Sequence, residues 1–180
     1  NLKDELWNSK MDRNIHQSLY LEEDICLKVV GIPYLEIIKM GTPEDILEKL
    51  KSIEIRKELT DEWKKRGLEE GKDFAELTDI IYKTWAGKTT KEYKEFKGLK
   101  KENLRDNMTN KELVLNMLAE LSTKEISQTS NPKTNLEHKD VAKRGGNIAK
   151  EAKEKLEFET GKKIVSPKNA KQLQLENKKE

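Results

Sequence analysis

The stretch TPEDILEKLKSIEIRKELTDEWKKRG, residues 42–67, decides how the rest of the chain is read. Thr42 suits a helix N-cap and Pro43 the first helical position. Glu44 and Asp45 put negative charge in the first turn, where unpaired backbone amides favour it. Ile46, Leu47, Leu50, Ile53, Leu59 and Trp63 then recur at helical spacing. Lys64, Lys65 and Arg66 fill the last turn, and Gly67 can take the left-handed conformation that ends a helix. These signals predict one helix of roughly 35 Å, at about 1.5 Å per residue.

The same grammar continues downstream. Phe74, Leu77, Ile81 and Trp85 form one stripe of a second helix, from about Asp73 to Ala86, with Ile80 beside it and Gly87 to stop it. Thr89 and Glu92 have capping-box spacing for a short third helix carrying Tyr93 and Phe96 and closed by Gly98. Residues 99–108 read as one further turn around Leu99 and Leu104. Thr109 and Glu112 open a fourth helix whose apolar face is Leu113, Val114, Met117, Leu118, Leu121 and Ile126. The polar run from Ser127 to Thr134, with Pro132, reads as a linker.

A polar tail helix follows from Asn135, carrying Val141, Ala142, Ile148, Ala149, Ala152, Leu156 and Phe158. Gly145-Gly146 interrupts it and Gly161 ends it. That double glycine lacks the Gly-Lys-Ser/Thr continuation of a phosphate loop, which leaves a helix swivel or a close backbone approach. Lys163-Ile164-Val165 can form one short strand, Ser166-Pro167 a turn, and the last ten residues a frayed end. The tail's apolar content is thin, so it is expected to pack loosely or against a second copy of the chain. Before residue 42 the pattern is weak, with a short helix between Leu19 and Leu35 ending near Gly31. The expected fold is all-α, with at most one short β element near 163–165. Its parts are an N-terminal segment (1–42), a helical core (43–130) and a basic helical tail (131–180). The core is assigned to Trp63, Phe74, Leu77, Ile81, Trp85, Leu113, Met117 and Leu121.

Composition agrees. Charged residues are 39% and hydrophobic ones 34% of the 180, yet the net charge is only +2. Interleaved charges and clustered apolar positions argue against global disorder. Nine glycines and four prolines leave few turns. Residues 1–87 hold 14 basic and 19 acidic side chains, residues 88–180 hold 22 and 15. Such a dipolar chain can present its basic half to a polyanion. No stretch approaches the ~20 apolar residues of a membrane span, and no secretory signal is visible, so a cytoplasmic location is expected. The chain opens on Asn1, which reads as a removed or truncated segment.

Catalytic patterns are sparse. The single Cys26, between Ile25 and Leu27, excludes an internal disulfide and reads as a buried thiol. His16 and His138 stand in no metal-site spacing. Pairs such as Asp61–Glu62 are what chance supplies among 34 acidic residues. No cofactor and no enzymatic activity are expected. Trp63, Tyr82, Trp85, Tyr93 and Phe96 could stack on bases, but the two tryptophans lie on core stripes. Lys88, Lys91, Lys94, Lys97, Lys100, Lys101 and Arg105 form a ladder for phosphate contacts, diluted by four acidic residues. Lys139, Lys143 and Arg144 make a second basic group beside the double glycine.

Two runs carry a resemblance. LKSIEIRKELTDEWKKRG (50–67) resembles the segment after the N-terminal domain of prophage antirepressors of the BRO family. KGLKKENLRDNMT (97–109), continuing into Glu112-Leu113, is similar to a hallmark shared with DNA-damage-inducible protein D. AKRGG (142–146) and TGKKIV (160–165) fit the same pattern, and the resemblance spans roughly residues 48–170. Residues 1–47 depart from it, because they do not look like the DNA-binding BRO domain. The resemblance implies a regulatory protein of prophages or of the DNA-damage response, where the D protein is linked to the RecA filament. The first expectation is therefore docking on a recombinase filament or a repressor. The alternatives are direct DNA binding through the two basic groups, and a phage anti-defence role.

Overall fold

The computed structural model describes residues 43–169 and Gln172. The expected helix between Leu19 and Leu35, the environments of His16 and Cys26, and the frayed C-terminus lie outside the described residues. Five α-helices are present among them, with no strand: α1 (Pro43–Lys65), α2 (Lys72–Ala86), α3 (Thr90–Phe96), α4 (Asn110–Ser130) and α5 (Asn135–Thr160). A 3₁₀ turn at Arg105–Asn107 links α3 to α4.

The helix ends follow local chemistry. Gly67, Gly87, Gly98 and Gly161 all have positive φ, the backbone state that glycine enters without a Cβ clash. Thr89, Thr109 and Thr134 each close a full capping box with Glu92, Glu112 and Glu137. The third box escaped the sequence reading, although Thr134 and Glu137 have the same spacing as the other two. α4 runs to Ser130, so the linker is only Asn131–Thr134. Ser127, assigned to that linker, is a buried helical residue.

The chain divides after Glu54 into two compact units. Within residues 55–180 the core is built from Leu59, Trp63, Phe74, Leu77, Ile81, Trp85, Tyr93, Leu99, Leu104 and Leu113. Trp63 meets Phe74 at 5.2 Å between ring centroids, and Tyr93 meets Tyr82 and Trp85 at 6.2 Å. Such aromatic pairs add about 1 kcal/mol each beyond the area they bury.

The tail expected to pack loosely does the reverse. α5 lies along both α2 and α4, and Ala142 and Ala149 are fully buried in the core cluster. Residues 55–180, α5 included, form one compact unit. Small residues replace large apolar ones here because the helices nearly touch. A Cβ on Gly145 would stand 2.7 Å from the Thr123 backbone, and one on Gly146 2.8 Å from Thr84 Cβ. The double glycine is a crossing point in an unbroken helix. No strand forms at 163–165 either. Ile164 is buried on the core, and its amide donates to Glu157 Oε1 at 2.9 Å, so a carboxylate takes the place of a strand partner.

α4 departs furthest from expectation. Its buried stripe is Glu112, Asn116, Glu120, Thr123 and Ser127, with Leu113, Leu115 and Ala119 beside it. Of the residues assigned to the core from this helix, Leu113 is buried, Met117 only half-buried and Leu121 38% exposed. Val114 is 48% exposed. The physical reason is that two ion-pair networks occupy the inner side of α4, and a carboxylate there cannot be exchanged for solvent exposure without orphaning its partner.

Candidate functional site

The lysine ladder does not survive as a ladder. α3 is only seven residues long, so Lys91 and Lys94 project from it while Lys88 precedes it and Lys100 and Lys101 follow in the loop. Lys97 points inward and is fully buried. Its Nζ donates to Glu112 Oε2 at 2.8 Å, to the Ser166 carbonyl at 2.9 Å and to the Lys168 carbonyl at 2.7 Å. Glu112 also accepts from Tyr93 Oη at 2.7 Å and from the Ser166 amide at 2.8 Å. This network ties the segment after α5 to α3 and α4. Burial and the Glu112 carboxylate hold the Tyr93 phenol far above its usual pKa, so it stays a donor.

Arg105 is likewise withdrawn from the surface set. Its Nη1 reaches both oxygens of buried Glu120, at 2.8 and 2.9 Å, and Arg56 reaches the same carboxylate at 3.3 Å. Two guanidinium groups on one buried carboxylate make a structural pair of bridges across α1, α4 and the 3₁₀ turn. Burial, then the nearby Glu120 charge, raises the Tyr82 phenol well above its usual value.

The remaining basic residues other than Lys88 and Lys101 sit on two grooves. The first is about 580 Å³ and is lined by Arg56, Phe74, Thr78, Lys91, Lys94 and Lys100, with Asp79, Glu95 and Leu99. Asp79 Oδ1 is committed to the Thr90 amide at 2.8 Å. Lys91, Lys94 and Lys100 make no ion pair among the described residues. Arg56 is the contribution that sequence reading missed, because it stands within a helix of mixed charge far from the ladder. Lys101 lies outside this lining, exposed on the loop.

The second groove is about 770 Å³, between α2, the end of α4 and the start of α5. Ile80, Pro132, Leu136 and Val141 give it an apolar lining, with Lys139, Lys143 and Arg144 among its charged groups and Glu137 and Asp140 opposing them. Lys139 pairs with Glu76, and Arg144 lies 3.7 Å from Asp140. Lys143 makes no ion pair among the described residues. Leu136 is 78% exposed, on the opposite side of α5 from Ala142 and Ala149. Its place away from that stripe is legible in the helical spacing, and the sequence analysis did not single it out.

His138 is buried between these elements. Burial, reinforced by Arg66, lowers its pKa below 6.5, while Glu137, Asp73 and Glu62 pull the other way. Among the described residues, no three His, Cys, Asp or Glu side chains converge as a metal site, and no helix is long and apolar enough to cross a membrane. Phe96 is partly exposed beneath Lys88, whose Nζ sits 4.6 Å from the ring centroid.

Comparison of the chain with protein-family models, curated proteins and solved structures finds no match.

Proposed function

We propose that this chain is a non-enzymatic regulatory module that works by docking on another protein. The observation that carries this reading is the α2–α4–α5 groove, where Leu136 stands exposed beside Ile80, Pro132 and Val141 within a partly basic rim. An apolar floor contributes nothing to a phosphate backbone. It suits an amphipathic protein segment with acidic flanks, in which an apolar anchor supplies affinity and the lysines supply orientation. The resemblance of residues 48–170 to prophage antirepressors and to DNA-damage-inducible protein D makes a recombinase filament the first partner to test, and a phage repressor the second.

A second reading rests on the other groove. Lys91, Lys94 and Lys100 surround a cleft near Arg56 and make no ion pair among the described residues, which favours a nucleic-acid strand. One experiment separates the two. Full-length chain is titrated against bare single-stranded DNA, bare duplex and recombinase-coated filament at two salt concentrations. The docking reading expects binding to the coated filament only, weakened about tenfold by Leu136→Glu. Steeply salt-dependent binding to bare DNA, abolished by charge reversal at Lys91, Lys94 and Lys100, overturns it in favour of the second reading.

A further inference from the structure

The inverted polarity of α4 leaves Val114, Met117, Leu118 and Leu121 as an outward ridge, spaced i, i+3, i+4 and i+7. Val114 and Leu121 are exposed, Met117 is half-buried, and Leu118 only leans on the core cluster. This is the spacing by which one helix packs along another, yet it faces away from the core of its own unit. We propose that this ridge pairs with the same ridge of a second copy of the chain, antiparallel, about a two-fold axis at Leu118.

Charge placement is what selects a second copy. Lys111, Leu118 and Glu125 lie on one line of α4, seven residues apart, along the edge of the ridge. Antiparallel pairing about Leu118 sets Lys111 of each copy beside Glu125 of the other, giving two cross-copy ion pairs. It also sets Leu118 of the two copies against each other on the axis, with Met117 and Leu121 of each copy flanking that contact. A self-complementary patch is what a two-fold contact requires, because when one residue meets a second on the other copy, the second must also meet the first. Both charged groups are exposed, and Lys111 makes no ion pair among the described residues. Glu125 lies 3.1 Å from Lys124, which is itself 2.7 Å from Glu58, so Lys124 keeps a partner when Glu125 turns to the second copy. The ridge covers about 10 Å of helix, so the dimer belongs to the weak, concentration-dependent class.

The test is sedimentation equilibrium of the full chain from low micromolar to several hundred micromolar. The wild type is expected to pass from monomer to dimer across that range, and Leu121→Asp to stay monomeric with an unchanged melting temperature. Lys111→Glu and Glu125→Lys each turn both ion pairs repulsive and should each weaken the dimer about tenfold. The double variant exchanges the signs and should restore it. A wild type that stays monomeric throughout, a dimer indifferent to Leu121→Asp, or a double variant no better than its singles overturns the proposal. The charge variants lie on the exposed surface, so the result does not depend on whether Leu121→Asp folds.

Discussion

α2 and α4 look alike as sequence and behave oppositely in the fold. Each has a clear apolar stripe. The α2 stripe, Phe74, Leu77, Ile81 and Trp85, is buried as expected. The Val114–Leu121 stripe of α4 faces outward, and a stripe of Glu, Asn, Thr and Ser lies inside. Periodicity reveals that a helix has two faces. Which one is buried depends on what the neighbours bring, and α4's neighbours bring Lys97, Arg105, Arg56 and a glycine crossing.

The sharpest way to break this contrast is to cut each buried stripe. Leu77→Ala removes a fully buried α2 side chain and should cost about 4 kcal/mol, by loss of apolar contact and a partly unrelaxed cavity. Chemical denaturation measures it. Lys97→Met should cost about 3 kcal/mol, because it leaves the Glu112 carboxylate buried without its cation. Adding Glu112→Gln should recover part of that loss, an outcome that an apolar site could not give.

Gly145→Ala comes next, at about 2 kcal/mol destabilising. In an open helix the same change stabilises by about 1 kcal/mol. The sign therefore reports the contact with Thr123 directly, and a stabilised variant would remove the crossing from the account. His138 offers a gentler probe of the same α5 face. Its folded pKa lies below its unfolded 6.5, so the unfolded chain binds the proton more readily. Stability should be complete above pH 6.5 and decline as pH falls through the folded value, and His138→Asn should flatten that slope in thermal melts at stepped pH.

The smallest effect sharpens the comparison most. Leu121→Ala should change monomer stability by no more than about 0.5 kcal/mol, because its side chain is largely in solvent. A loss of several kcal/mol, equal to that of Leu77→Ala, would mean that the two stripes are both buried after all.

Much of this architecture was legible. The capping threonines, the terminating glycines and the α2 stripe are local chemistry, read within a few residues of where they act. The inward turn of two of the nine candidate basic residues was not. Lys97 and Arg105 belong to the same basic run as Lys94 and Lys100, but they point at carboxylates 15 residues further along the chain. Nothing in the ladder itself announces that. The groove residues Arg56 and Leu136 come from helices that the ladder does not include.

The sequence by itself determined that the described residues are mainly helical, where most of those helices begin, and that the second half of the chain is rich in lysine, because caps, breakers and charge are properties of neighbours in the chain. Only the tertiary structure decided which face of α4 is inside, that the glycine pair is a crossing rather than a break, and which lysines make no ion pair among the described residues. Those outcomes depend on groups that meet across sequence separations of 15 to more than 60 residues, such as Lys97 with Glu112 and Arg56 with Glu120, and no local pattern encodes such a meeting.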